Sequence, residues 1–135
     1  MKKRFAVIGM SSFGFYVVKA LFQEGHEVLA VDTNEHKVQT ADRYSDEALV
    51  LDATDKDTLA TLGLEDADSV IVSTGARIHA SVLICLYLSE LGVQDIVVQC
   101  EDTDHEKILQ KVGATRVVHP EREMGYKLAH SLSSS

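Results

Sequence analysis

Phe5-Ala-Val-Ile-Gly9-Met-Ser-Ser-Phe-Gly14-Phe-Tyr-Val-Val-Lys-Ala-Leu-Phe-Gln-Glu-Gly25 decides the fold. Four apolar residues run straight into a glycine, which reads as a buried strand ending in a tight turn. From Phe13 the spacing turns helical: Phe13, Val17 and Leu21 recur at i, i+4, as do Val18 and Phe22. Gly25 then stops the helix as its C′ residue. Strand, glycine turn and helix N-terminus in this order are the setting in which G-x-G-x-x-G binds a dinucleotide. Gly9 and Gly14 match the outer glycines, and Ser11 stands at the middle position. Gly9 permits the sharp turn, and Gly14 lets the helix pack closely on the strand. Ser11 adds a Cβ where backbone would otherwise approach the pyrophosphate. It also adds a hydroxyl able to donate to a phosphate oxygen. The unpaired N–H groups of the first helical turn make an anion site.

Outward from this unit the same alternation repeats. Short β-branched runs occur at Phe5–Ile8, Val28–Val31, Ala48–Leu51, Ser69–Val72, Ile96–Val98 and Arg116–Val118. Helical patterns lie between them, at about 34–43, 54–63, 77–91 and 103–113, and after Pro120. Thr54-x-x-Asp57 and Thr103-x-x-Glu106 resemble capping boxes for two of these helices. Strands alternating with helices imply crossover connections and a parallel sheet, and almost wholly apolar strands imply a sheet covered on both faces. The expectation is an α/β, doubly wound Rossmann fold. Its six-stranded parallel sheet has order 3-2-1-4-5-6, with helices on both faces. The terminal Ser131-Leu-Ser-Ser-Ser135 reads as frayed or cut off.

Composition narrows the function. At 135 residues the chain fits one domain, 1–135. Its net charge of −8 argues against nucleic-acid binding, which needs a basic face. Cys85 and Cys100 sit in apolar stretches and read as buried thiols in a reducing compartment. The longest apolar run, Val82–Leu88, is far short of the roughly 20 residues that span a bilayer, so the chain is expected to be cytoplasmic. No histidine pair has zinc-ligand spacing, and there is neither a Gly-x-Ser-x-Gly elbow nor a Walker A sequence.

Ligands of open α/β sheets bind outside the carboxyl ends of the strands. Four segments converge there: Gly9–Gly14 (with Met10, Ser11, Ser12 and Phe13), Asp32-Thr33, Asp52-Ala53-Thr54, and Ser73-Thr74-Gly75-Ala76-Arg77. Asp32 follows Gly14 by 18 residues, close to the roughly 20 expected of the acid that binds ribose hydroxyls. A carboxylate there disfavours NADP. The plainer alternative is a tight turn and an Asp32 that caps the next helix. Asp52-Ala-Thr54 sits near adenine or ribose, or Thr54 merely caps a helix. Arg77 reads either as the one nearby cation able to reach a phosphate or as an ordinary surface arginine. Ser81–Leu88 is apolar all round, which suits a subunit interface or a helix packed between sheet and neighbours. Met124, Leu128 and Leu132 form a second apolar seam.

Phe5-Ala-Val-Ile-Gly9, Gly25-His-Glu-Val-Leu-Ala-Val-Asp32, Asp52-Ala-Thr54, Gly75-Ala, Gly113-Ala and His119-Pro-Glu-Arg-Glu-Met-Gly125 resemble a known family. It is the RCK or KTN (TrkA-N type) nucleotide-binding regulatory domain of Ktr and Trk potassium uptake systems. The resemblance implies a non-catalytic cytosolic module lying against the inner face of the cell membrane. It implies ATP or ADP as ligand, NAD(H) as a second possibility, and a homodimer assembling into a homo-octameric ring. The ring's partner would be a membrane-embedded potassium-translocating subunit. It carries binding roles onto Gly9, Gly14, Asp32, Asp52 and Gly75, and less firmly onto Ala53, Thr74 and Arg77. Glu121 would be a subunit-boundary carboxylate that meets a cation, or simply an acid in a helix's first turn. Ktr members usually have glycine at the position of Ser11 and a basic residue at that of Ser12. The family's usual C-terminal domain is absent from the sequence. The alternatives are an interaction domain with a weakened nucleotide site and an NAD-dependent oxidoreductase.

Overall fold

The computed structural model describes residues 1–134. Six strands and six helices alternate: β1 (Arg4–Ile8), α1 (Ser12–Gln23), β2 (Glu27–Asp32), α2 (Glu35–Asp42), β3 (Glu47–Val50), α3 (Lys56–Ala60), β4 (Ser69–Val72), α4 (Ile78–Glu90), β5 (Ile96–Gln99), α5 (Thr103–Val112), β6 (Arg116–Val118) and α6 (Pro120–Ser133). All strand pairs are parallel, in the order β3-β2-β1-β4-β5-β6. The order reverses between β1 and β4, so the carboxyl ends of these two strands flank the switch point.

Strand alternation sends side chains to two separate cores. Ala6, Ile8, Val31, Val70, Val72, Ile96 and Val98 pack with Leu59, Ile84, Cys85, Leu88 and Leu109 on one face. Val7, Val28, Ala30 and Ile71 pack with Met10, Val18 and Ala41 on the other. This two-sided burial is why the strands read as continuous apolar runs.

Three local expectations are corrected. Neither threonine caps its helix: Asp55 accepts from the Thr58 amide to start α3, and Asp102 accepts from the His105 amide to start α5. In both cases a carboxylate beside the threonine takes the cap, where it also meets the positive end of the helix dipole. Chain 131–133 is not frayed but continues α6 to Ser133, while Ser135 lies outside the described residues. The expected seam on α6 is present as surface: Met124, Tyr126, Leu128 and Leu132 are all exposed, and α6 buries no residue. On α4, Ala80, Ser81, Ile84, Cys85 and Leu88 face the core, and Val82, Leu83, Leu86 and Tyr87 are half-buried. No helix among the described residues is long and apolar enough to cross a membrane.

Candidate nucleotide-binding site

The turn after β1 is held from both sides. Gly9 has φ +97°, and its N–H donates to the Val31 carbonyl at 2.7 Å. A Cβ there would strike the Ser73 backbone, 2.6 Å from its carbonyl carbon. Gly14 is constrained by space alone. Its Cβ would meet Ser73 Oγ at 2.7 Å and would lie closer still to the Gly9 carbonyl oxygen. Both glycines are therefore set by close approach of the β1 turn, α1 and the end of β4. Met10 is buried under the turn and contributes to the core rather than to the cleft.

Asp32, at the end of β2, links two loops. Its Oδ2 accepts from the Met10 amide at 2.6 Å and its Oδ1 from the Asn34 amide at 2.8 Å. It does not cap α2; Asn34 does, accepting from the Lys37 amide at 3.0 Å. Each carboxylate oxygen accepts one backbone bond and keeps a second lone-pair direction for a ribose hydroxyl.

Ser11 caps α1. Its Oγ accepts from the Gly14 amide at 3.2 Å, hydrogen-bonds Ser73 Oγ, and lies 3.2 Å from Gln99 Oε1. The expectation that its hydroxyl is free to donate to a phosphate is thereby corrected: the proton has acceptors within the protein. The amides of Ser12 and Phe13 have no partner among the described residues. The Ser12 side chain is exposed. The half-buried Phe13 lines an open surface recess together with Pro120, Glu123, Met124 and Lys127 at the start of α6.

The second wall is the loop after β4. Gly75 has φ +64°. The Thr74 hydroxyl donates to the Arg77 carbonyl at 3.0 Å, which folds the loop back on itself. Between the walls lies a groove of about 510 Å³ that brings together Ser11, Asp32, Thr33, Thr74, Gly75, Ala76 and Arg77. Beneath it, a recess is lined by Gly9, Asp52, Ala53 and Thr54. Asp52 accepts from the Thr54 hydroxyl at 2.6 Å and from the Thr54 amide at 3.0 Å. These bonds hold its carboxyl below the usual carboxylate range, with a smaller contribution from the Arg77 charge.

Two residues that sequence reasoning missed, Lys37 and Gln99, belong to this region, beside Ser73 of the expected β4 loop. Lys37 lines the groove, so Arg77 is not its one cation. Ser73 and Gln99 are buried at the carboxyl ends of β4 and β5. The signal for Gln99 was a polar residue closing an apolar strand run. Glu121 is exposed in the first turn of α6, beyond β6 at the far edge of the sheet, and takes no part in the groove. Among the described residues no cluster of three His, Cys, Asp or Glu side chains can hold a metal.

Fold and glycine turn define a doubly wound, Rossmann-type nucleotide-binding domain. The family model for the TrkA-N domain matches residues 5–120, and the chain belongs to that family. It is 47% identical over 135 residues to Ktr system potassium uptake protein C of Bacillus subtilis, and 47% identical over 131 residues to protein A of the same system. It spans 61% and 59% of the lengths of those relatives, which cover 100% and 97% of this chain. Among solved structures it resembles the NAD(P)-binding domain of an exopolyphosphatase-related protein from Archaeoglobus fulgidus, with TM-score 0.85, 22% identity and 99% and 100% of the two chains covered. It also resembles the GsuK channel, solved with NAD and with ADP. There the TM-scores are 0.74 and 0.73 at 20% identity, over 87% of this chain and 21% and 31% of those.

Proposed function

We propose that the chain is the nucleotide-sensing module of a potassium uptake system, acting by binding rather than by catalysis. The observation that carries this is the groove between the β1 turn and the β4 loop, with Asp32 at its ribose end. The likeness of this chain to part of the Ktr uptake proteins supplies the context.

In this reading the adenosine ribose meets Asp32, and phosphates meet the Ser12 and Phe13 amides at the N-terminus of α1. Arg77 and Lys37 balance the phosphate charge. ATP or ADP is the expected ligand and NAD(H) the second, while the Asp32 carboxylate repels the 2′-phosphate of NADP. The module, 1–135, works within a homodimer that assembles into a homo-octameric ring. The ring lies in the cytoplasm against the inner face of the membrane, under the potassium-translocating subunit. Glu121 meets a cation at a subunit boundary. Nucleotide shifts the ring only through differential affinity for its two states; a hundredfold difference is worth about 2.7 kcal/mol per site.

A thermal-shift panel with ATP, ADP, NAD, NADH and NADP tests the reading. At about 100 times its dissociation constant a ligand stabilises by roughly 2.7 kcal/mol. Shifts with adenine nucleotides and none with NADP are expected. No shift with any of them, on folded and ligand-stripped protein, would replace this reading with that of an interaction domain.

A further inference from the structure

α4 starts without a side-chain cap, which sets it apart from the other five helices. Its first turn follows directly on Arg77 and the β4 wall of the groove. A side chain from another element holds that turn instead. Ser81 Oγ donates to the Ile78 carbonyl at 2.8 Å and accepts from His105 Nε2 at 2.7 Å. The Ser81 amide donates back to the Arg77 carbonyl at 3.2 Å. Ser81 is fully buried and His105 is 2% exposed.

The second ring nitrogen fixes these directions. His105 Nδ1 accepts from the Glu101 amide at 3.0 Å, so the neutral ring carries its proton on Nε2, aimed at Ser81. The Glu101 carbonyl in turn accepts from His119 Nε2 at 3.1 Å. His119 Nδ1 accepts from the Arg122 amide at 3.4 Å, which caps α6. α6 buries no residue, so its first turn sets its direction, through His119 and through Arg122 facing Glu106 at 3.9 Å. One hydrogen-bonded chain therefore runs from the start of α4, through His105 and the Glu101 backbone, to the start of α6. Breaking a link at Ser81 or His105 strands a buried polar group. The two ends of the chain are thus held to move together.

We infer that His105 is a positioning residue for the groove: through Ser81 it holds the start of α4, and with it the β4 wall, and through Glu101 and His119 it ties that wall to α6. This role rests on the nucleotide-binding reading above and deepens it, by naming how occupancy of the groove reaches a helix outside it.

The test is hydrogen exchange of the chain, read by mass spectrometry with and without saturating ADP, beside calorimetric titration of ADP. In the wild type, ADP should slow exchange in residues 76–84 and also in residues 119–126. Ser81→Ala cuts the chain at its α4 end, and alanine suits a helix interior, so this variant folds. Its affinity for ADP should fall roughly three- to tenfold, the scale of one hydrogen bond. The slowing at 119–126 should vanish even when ADP again saturates. His105→Leu should behave alike, and His105→Gln, whose amide supplies one acceptor and one donor, should restore both affinity and response. Should His105→Leu fail to fold, Ser81→Ala carries the test alone. A merely structural role would lower the melting temperature of the variants and leave the ADP-induced slowing at 119–126 in place. That result, or wild-type protein that binds ADP without slowing at 119–126, would overturn the inference and leave nucleotide binding standing. Glutamine that restores no more than leucine would overturn it too. No ADP binding by folded, ligand-stripped wild type would remove the nucleotide reading itself, and this role with it.

Discussion

Replacing Gly14 by alanine makes the β1 turn report on its own packing. Alanine is the better helix former by about 1 kcal/mol, so propensity alone predicts stabilisation. Space predicts the reverse. The new methyl would sit 2.7 Å from Ser73 Oγ and 2.9 Å from Ser73 Cβ, and closer still to the Gly9 carbonyl oxygen. Ordinary contact begins near 3.4 Å, so α1 must back away by about half an ångström or more. Neither neighbour yields easily: Gly9 is pinned by its bond to Val31, and Ser73 by Ser11 and Gln99. Overpacking of this kind costs about 1–3 kcal/mol, and strain on the Ser11 cap adds to it. The net expectation is a loss of about 1–3 kcal/mol, read as a melting temperature lower by roughly 4–12 °C. Gly125 supplies the control. It lies within α6 with nothing inside 4 Å of a built Cβ, so Gly125→Ala should raise the helical circular-dichroism signal without lowering the melting temperature. Opposite signs for one substitution at two helical glycines separate packing from propensity. A Gly14→Ala protein that melts at or above wild type would refute the close-approach argument.

His105 accepts from the Glu101 amide through Nδ1 at 3.0 Å and bonds Ser81 Oγ through Nε2 at 2.7 Å, so it is held neutral. Burial lowers its pKa, against the opposing charges of Asp102 and Glu101. The unfolded chain then binds a proton more readily, and stability falls as pH drops below about 6.5. Urea midpoints between pH 8 and 5 should show this slope, and His105→Gln should flatten it; an unchanged slope would exclude His105 as its source. Asp32→Asn leaves the Met10 and Asn34 amides to share one acceptor oxygen, so it should lower the unfolding free energy from urea titration by about 1–3 kcal/mol and abolish the nucleotide-induced thermal shift. Retention of both would sink the role given to the carboxylate. Cys85 is fully buried, with burial pushing its thiol up to about 11, and Cys100 is buried with its thiol raised mainly for the same reason. Native protein at pH 8 should therefore resist thiol reagents, with two thiols reacting after denaturation; rapid native labelling would contradict the burial.

Sequence by itself determined the strands, the helices and the parallel sheet. Periodicity changes at Ile8–Phe13 and after each later strand are local and survive any packing. It also determined Gly9, Gly14 and Asp32, because close approach and a strand-end carboxylate are tied to fixed positions in a β-turn-α unit. Helix caps were legible only in kind: Thr54 and Thr103 lost to Asp55 and Asp102, since an adjacent carboxylate competes for the same amides. What only the tertiary structure decided was the state of the middle position. Ser11, Ser73 and Gln99 lie 62 and 26 residues apart along the chain and meet only when β1, β4 and β5 lie side by side. Lys37 joined the groove for a similar reason, because the first turn of α2 faces the β4 loop across the switch point. Hydrogen-bond partners of a short side chain are chosen by whichever polar groups folding brings within about 3 Å, and spacing in the sequence carries no record of that choice.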